Sequence, residues 1–165
     1  MDLNSSSISK AATALKTIDE QLAYLAALTA VGIKPLSRWE KPLADEPKGW
    51  LRKLDLRIGA VSRTVQSGGK VTETLFSRTE AYIRFYETCF SDTPIDKSPS
   101  VQRWEGFLFG FPPCCVDAYI QQPYQKNDLE PEDQKILFHW ACKGCLITPL
   151  LLTEYRNVYQ FVAQL

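Results

Sequence analysis

Apolar positions recur at helical spacing through the first part of the chain. Leu15, Ile18, Leu22 and Leu25 fall on one helix face, so residues 5–31 read as the first helical stretch. Thr17 and Glu20 have the spacing of a capping box, which predicts a stable helix from about Ile18. Gly32 supplies a C-terminal stop. Pro35, Pro42 and Pro47 then interrupt the pattern, and residues 33–49 read as a linker. Trp39 and Trp50 belong to this region, either packed back on the core or lining a pocket. Beyond it the period changes. Leu54, Leu56 and Ile58 alternate with Asp55 and Arg57, residues 71–76 are rich in Val, Thr and Phe, and Ser67-Gly68-Gly69 between them is a turn signal. The pattern predicts a β-hairpin near residues 54–76. A helix over residues 49–65 is the alternative, because Leu51, Leu54 and Ile58 also share a helical face.

The helical period then returns. Ser77 and Glu80 are spaced as a capping box for a helix over residues 77–90, with Tyr82, Phe85 or Tyr86, and Cys89 on one face. Cys89 reads as core, with a place at a nearby site as the alternative. Ser98-Pro99 opens a further helix carrying Val101, Trp104 and Leu108, and Gly110 ends it. Pro112-Pro113 launches the next helix, residues 114–121. Pro131 opens another, with Glu132 and Asp133 in its first turn, where the helix dipole favours acidic groups. Ile136, Leu137 and Trp140 predict that this helix reaches His139 and runs into Cys142. Thr148-Pro149 opens the last helix, residues 150–163, with Leu151, Tyr155, Val158 and Val162 in an apolar stripe. The fold class is therefore α+β: a mostly α-helical single domain with one small hairpin. Residues 1–50 form the N-terminal helix and Pro-rich linker, 51–97 the hairpin and a helix, and 98–165 a helical region rich in Cys and His ligand types.

That last region changes the picture from fold to chemistry. It holds four of the five cysteines and the single histidine of a 165-residue chain. Thiolate and imidazole are good ligands for zinc and for iron–sulfur clusters. Cys142-Lys143-Gly144-Cys145 is a Cys-x-x-Cys turn in which Gly144 can take the positive φ that such turns use. His139 precedes Cys142 by three residues, which on a helix puts both on one face. Cys114 and Cys115 would lie in the first turn of a helix, where free amides and the dipole favour thiolate. Adjacent helical residues point about 100° apart, so one metal would take one of the two more easily. The candidate metal ligands are thus Cys114, Cys115, His139, Cys142 and Cys145.

Zinc is the first choice of cofactor. An iron–sulfur cluster is the alternative, since His139, Cys142 and Cys145 overlay the first three ligand positions of a bacterial ferredoxin run, but Pro149 stands where the fourth cysteine belongs. A catalytic use of the metal or of the vicinal cysteines also stays open. A water-activating metal would need a general base, for which Asp117 and Glu154 are the nearest acidic candidates, and His139 could serve a cysteine nucleophile. The sequence does not decide whether the protein is an enzyme.

Charge and length narrow the classes further. Nineteen basic and nineteen acidic side chains cancel, so no electrostatic footprint for nucleic acid or a membrane surface is present. The N-terminus is polar and Ser-rich rather than signal-like, and the longest apolar runs are too short to span a bilayer. Cytoplasmic localisation follows as the expectation, and in that reducing setting the cysteines read as ligands or free thiols rather than disulfides. A protein partner or a second copy of the chain is left open. The length suffices to bury a core without a metal.

The stretch from Gly110 through Pro112, Pro113, Cys114 and Cys115 to Val116, followed by the His/Cys-x-x-Cys knuckle, resembles a prokaryotic domain family of unknown function with a Gly-aromatic-Pro-x-Cys-Cys motif. The resemblance covers the last third of the chain. It implies a prokaryotic protein with functional cysteines and brings no reaction.

Overall fold

The computed structural model describes residues 5–165. Among them, eight helices and one small antiparallel sheet alternate along the chain. Two helices open it, α1 (Ser6–Ile18) and α2 (Glu20–Val31). They are separate because Asp19 is extended between them, and its carboxylate accepts from the amides of Gln21 and Leu22 as the N-cap of α2. The predicted cap at Thr17 is therefore replaced: the Thr17 hydroxyl donates back to the Ala14 carbonyl inside α1. Gly32 ends α2 with φ +89°, as its position predicts.

The predicted linker contains more structure than its prolines suggest. Strand β1 (Ser37–Trp39) sits between Pro35 and Pro42, and α3 (Asp45–Lys53) carries Pro47 in its first turn, where no amide donor is needed. The hairpin follows as β2 (Arg57–Thr64) and β3 (Lys70–Ser77), paired from Arg57↔Ser77 to Thr64↔Lys70. β1 adds to the other edge of β3 through Ser37↔Phe76, so β3 is central. Helix α4 (Glu80–Phe90) crosses the sheet, and α5 (Pro99–Phe109), α6 (Pro113–Gln121), α7 (Pro131–Ile136) and α8 (Thr148–Gln164) complete the chain. The fold is thus mostly helical α+β with a small sheet. No helix of the described residues is long and apolar enough to cross a membrane.

Two apolar clusters hold these elements. Leu15, Leu22, Leu28, Leu51, Tyr155 and Val158 belong to one, built chiefly from α1, α2, α3 and α8. Leu36, Val61, Leu75, Tyr86, Leu108 and Phe109 belong to the other, between the sheet, α4 and α5. Beneath the second lies a charge-balanced network. Arg38 and Arg63 both donate to Glu105 Oε1, at 2.7 and 3.0 Å, while the Tyr86 hydroxyl donates to Glu73 at 2.8 Å. This ties β1, β2 and β3 to α4 and α5 in one place.

The α5–α6 elbow is where fold and site meet. Gly110 ends α5 at φ +73°, and a Cβ built there would stand 2.7 Å from Pro35 Cδ. Both the left-handed backbone and the close approach require glycine. Gly110→Ala should destabilise the protein by about 2 kcal/mol, a drop of ~4–8 °C in melting temperature for a chain of this size. An unchanged melting curve would mean that the elbow relaxes without cost.

Candidate metal centre

Four cysteine sulfurs converge on one point. The Sγ atoms of Cys114, Cys115, Cys142 and Cys145 all lie within 4.8 Å of one another, a group that could hold a metal ion. Cys114 Sγ is 3.7 Å from Cys145 Sγ, and Cys115 Sγ is 3.7 Å from Cys142 Sγ and 3.4 Å from Cys145 Sγ. Cys115 is buried and Cys114 exposed, so the group sits at the surface end of a buried wall.

Local chemistry explains how each side chain arrives. Pro113 occupies the first position of α6, which places both vicinal cysteines in its first turn. The opposing pair does not come from a helix. α7 stops at Ile136, Leu137 is extended (φ −90°, ψ 147°), and residues 137–147 form a loop instead of the predicted helix into Cys142. The side chain of Gln134 makes that loop affordable. Its amide donates to the His139 carbonyl at 2.8 Å and its oxygen accepts from the Ala141 amide at 3.1 Å, satisfying backbone groups that a helix would otherwise pair. The Asp128 carboxylate accepts from the Gly144 amide at 2.8 Å. Gly144 has φ +68°, as the turn predicts. The knuckle so formed lies against the first turn of α6, where both vicinal sulfurs come within 3.7 Å of its cysteines.

Amide-to-sulfur hydrogen bonds surround the group. The Cys142 amide donates to Cys115 Sγ and the Thr148 amide to Cys145 Sγ, each at 3.3 Å. Such bonds favour thiolate. Burial raises the Cys115 thiol to about 11 and pushes Cys142 up as well. Burial also acts to raise Cys145, but the Thr148 hydroxyl and amide outweigh it and bring that thiol down to about 6.

His139 lies outside the four-sulfur group. Because residues 137–147 are not helical, its spacing from Cys142 no longer puts the two on one face. Its Nε2 is instead 3.0 Å from Thr148 Oγ1, which in turn is 3.3 Å from Cys145 Sγ and 3.5 Å from Cys115 Sγ. The ring is buried, packs beside Phe111, and leaves Nδ1 without a partner among the described residues. Burial and the neighbouring Lys34 hold its pKa down to about 4. Cys89 also lies outside the group, half-buried on α4 against the second core cluster. Asp117 accepts from Arg103 at 2.8 Å on the surface, and Glu154 is exposed on α8.

Thr148 escaped the sequence reading except as a helix start; its proximity to a Cys-x-x-Cys turn, three residues after Cys145, was the available signal. Comparison of the chain with protein-family models, with curated proteins and with solved structures finds no match in any of the three.

Proposed function

We propose that Cys114, Cys115, Cys142 and Cys145 hold a single zinc ion in a structural, four-thiolate site. The observation that carries this is the size of the sulfur group. Zinc–sulfur bonds of about 2.3 Å in a tetrahedron put neighbouring sulfurs about 3.8 Å apart. Three of the six sulfur separations run from 3.4 to 3.7 Å, and all six lie within 4.8 Å. A multi-iron cluster distributes its cysteines over different iron atoms and holds their sulfurs farther apart than one tetrahedron does. The compact group therefore favours one ion over a cluster. Four protein ligands leave no open position for substrate, which is the arrangement of a structural zinc rather than a catalytic one. The ion joins the α5–α6 elbow to the knuckle before α8, and its binding energy contributes to folding.

The test is metal analysis with a visible spectrum on protein purified without oxygen. One zinc per chain, and a cobalt-substituted form with strong thiolate-to-metal absorption, are expected. Two or more irons per chain with sulfide would overturn the single-ion reading, and one iron without sulfide would keep the four-thiolate site but replace the metal. A metal-free, fully folded protein would overturn the centre itself.

Thr148 supports the ligands in this reading. Its hydroxyl stands between His139 Nε2 and the sulfurs of Cys145 and Cys115. Thr148→Val keeps shape and amide but removes that hydroxyl. It should weaken zinc by about tenfold, the lower end for partners of ligands. Competition with a chromogenic chelator measures it; equal affinity would limit Thr148 to its backbone role.

A further inference from the structure

Behind the metal centre lies a cavity of about 1260 Å³. It exceeds the roughly 300–1,000 Å³ of ordinary small-ligand sites, so its volume admits a drug-sized molecule. Its walls include the rings of Phe109, Phe111 and Phe138, together with Lys34, His139 and the inner face of Cys115. The aromatic part of this wall, with a single buried cation set in it, has the composition of a ligand site.

Lys34 gives the cavity its chemistry. The side chain is only 2% exposed, and its Nζ lies 4.6 Å from the centre of the Phe111 ring, 5.2 Å from Phe138 and 5.6 Å from Phe109. Of its three donor hydrogens, one goes to the Phe109 carbonyl at 3.0 Å. No carboxylate among the described residues lies within ion-pair distance of it. The neighbouring charges do not help. Arg38 lines the same cavity, but Glu40, Glu73 and Glu105 already pair with it. A buried ammonium without a counterion is costly. Beside it, His139 Nδ1 is a second buried polar atom without a partner, on a side chain that also lines the cavity. Lys34, with donor hydrogens left over in an aromatic wall, matches a ligand with a charged head and a flat apolar body.

We infer that this cavity binds a small organic carboxylate with an aromatic or similarly flat body, its carboxylate on Lys34 and its body between the phenylalanine rings. The inference rests on Lys34 and the cavity, not on which metal the cysteines hold. The carboxylate accepts from the free Lys34 hydrogens, and the ammonium gains the counterion that the protein does not provide.

Two isosteric probes test it by calorimetry on the metal-loaded protein: 2-naphthoate, and the neutral 2-naphthamide. The expected result is one naphthoate per chain, bound at least about tenfold more tightly than the amide, since a hydrogen bond to a charged group contributes that much or more. Lys34→Met should erase the preference while Lys97→Met, on the loop before α5, keeps it. Melting curves and metal content on the same samples establish that Lys34→Met is folded and loaded. Equal binding of the two probes to the unaltered protein, no binding of naphthoate at millimolar concentration, or a preference that survives in Lys34→Met would each overturn the inference. None of those outcomes touches the zinc reading, and loss of metal without loss of naphthoate preference would sink that reading alone.

Discussion

Cys145→Ser should release the metal and lower the melting temperature together. Cys145 is the cysteine whose sulfur approaches both vicinal cysteines; it accepts from the Thr148 amide and donates to the Thr148 hydroxyl. A serine hydroxyl is a poor replacement for a thiolate, and a tetrahedron with three good ligands opens to water. Stabilisation by a bound ion follows from mass action, and free zinc at a thousandfold over its dissociation constant contributes about 4 kcal/mol. For a chain of this length that is a loss of ~8–16 °C. Cys142→Ser should behave alike, and a strong chelator should produce the same shift in the unaltered protein. Cys89→Ser should leave metal content unchanged, because Cys89 lies apart on α4. If Cys145→Ser keeps its metal, or if chelation empties the site without moving the transition, the centre does not contribute to folding as argued.

Lys34→Met should have the opposite sign: a more stable protein that has lost a binding preference. Burial, then repulsion from Arg38, lowers the Lys34 ammonium from 10.5 to about 7. Three elements bring groups to bear on it: Arg38 from β1, Glu105 from α5, which Arg38 and Arg63 already neutralise, and His139 from the loop after α7. Between pH 7 and about 10.4 the unfolded chain holds a proton on this lysine that the folded chain has released, so stability rises with pH across that window. Below pH 7 both states carry the proton and the penalty is constant. Methionine fills the same volume without charge. At neutral pH Lys34→Met should gain about 2 kcal/mol, ~4–8 °C, even after losing the bond to the Phe109 carbonyl. Its stability should also be flatter from pH 7 to 10 than that of the unaltered protein. A destabilised variant would mean that the ammonium is better accommodated than its surroundings indicate. A stabilising substitution that removes ligand preference is the pattern expected where function, not folding, maintains a residue.

Much of this architecture was legible in the chain. The Ser67-Gly68-Gly69 turn and the glycine stops at Gly32 and Gly110 act locally, through backbone freedom, and each appears where the pattern puts it; the N-terminal stretch is helical as its period indicates but breaks at Asp19, which leaves Ile18 exposed instead of on a shared apolar face. What was missed depends on distant partners. Strand β1 is three residues long and exists because β3 offers an edge to it. Residues 137–142 looked helical from Ile136, Leu137 and Trp140, but the chain is a loop there. It is held open by Gln134 and by the Gln125 carbonyl, which accepts from the Trp140 indole. The sequence grouped the four cysteines as candidates and favoured one of the vicinal pair over the other, whereas the structure brings both sulfurs into the group. Helical spacing describes directions around one axis and says nothing of where a partner from another part of the chain will lie. Lys34 gave no signal at all. Between Ile33 and Pro35 it resembles any surface lysine, and it is buried by rings that arrive from α5, the elbow and the knuckle loop.

The cysteines also close a loop. Cys115 and Cys142 stand 27 positions apart in sequence, and the segment between them contributes Tyr119, Tyr124, Phe138 and Trp140 to the cavity wall. Whatever fastens the ends of that segment also fixes the shape of the space it encloses. If the proposed metal and carboxylate both bind, whatever effect one has on the other's affinity is returned by the same factor. A carboxylate seated on Lys34 would then change zinc affinity, read by competition with a chelator, without touching a single sulfur. The clasp that looks purely mechanical would in that way report, at the protein surface, on what lies within.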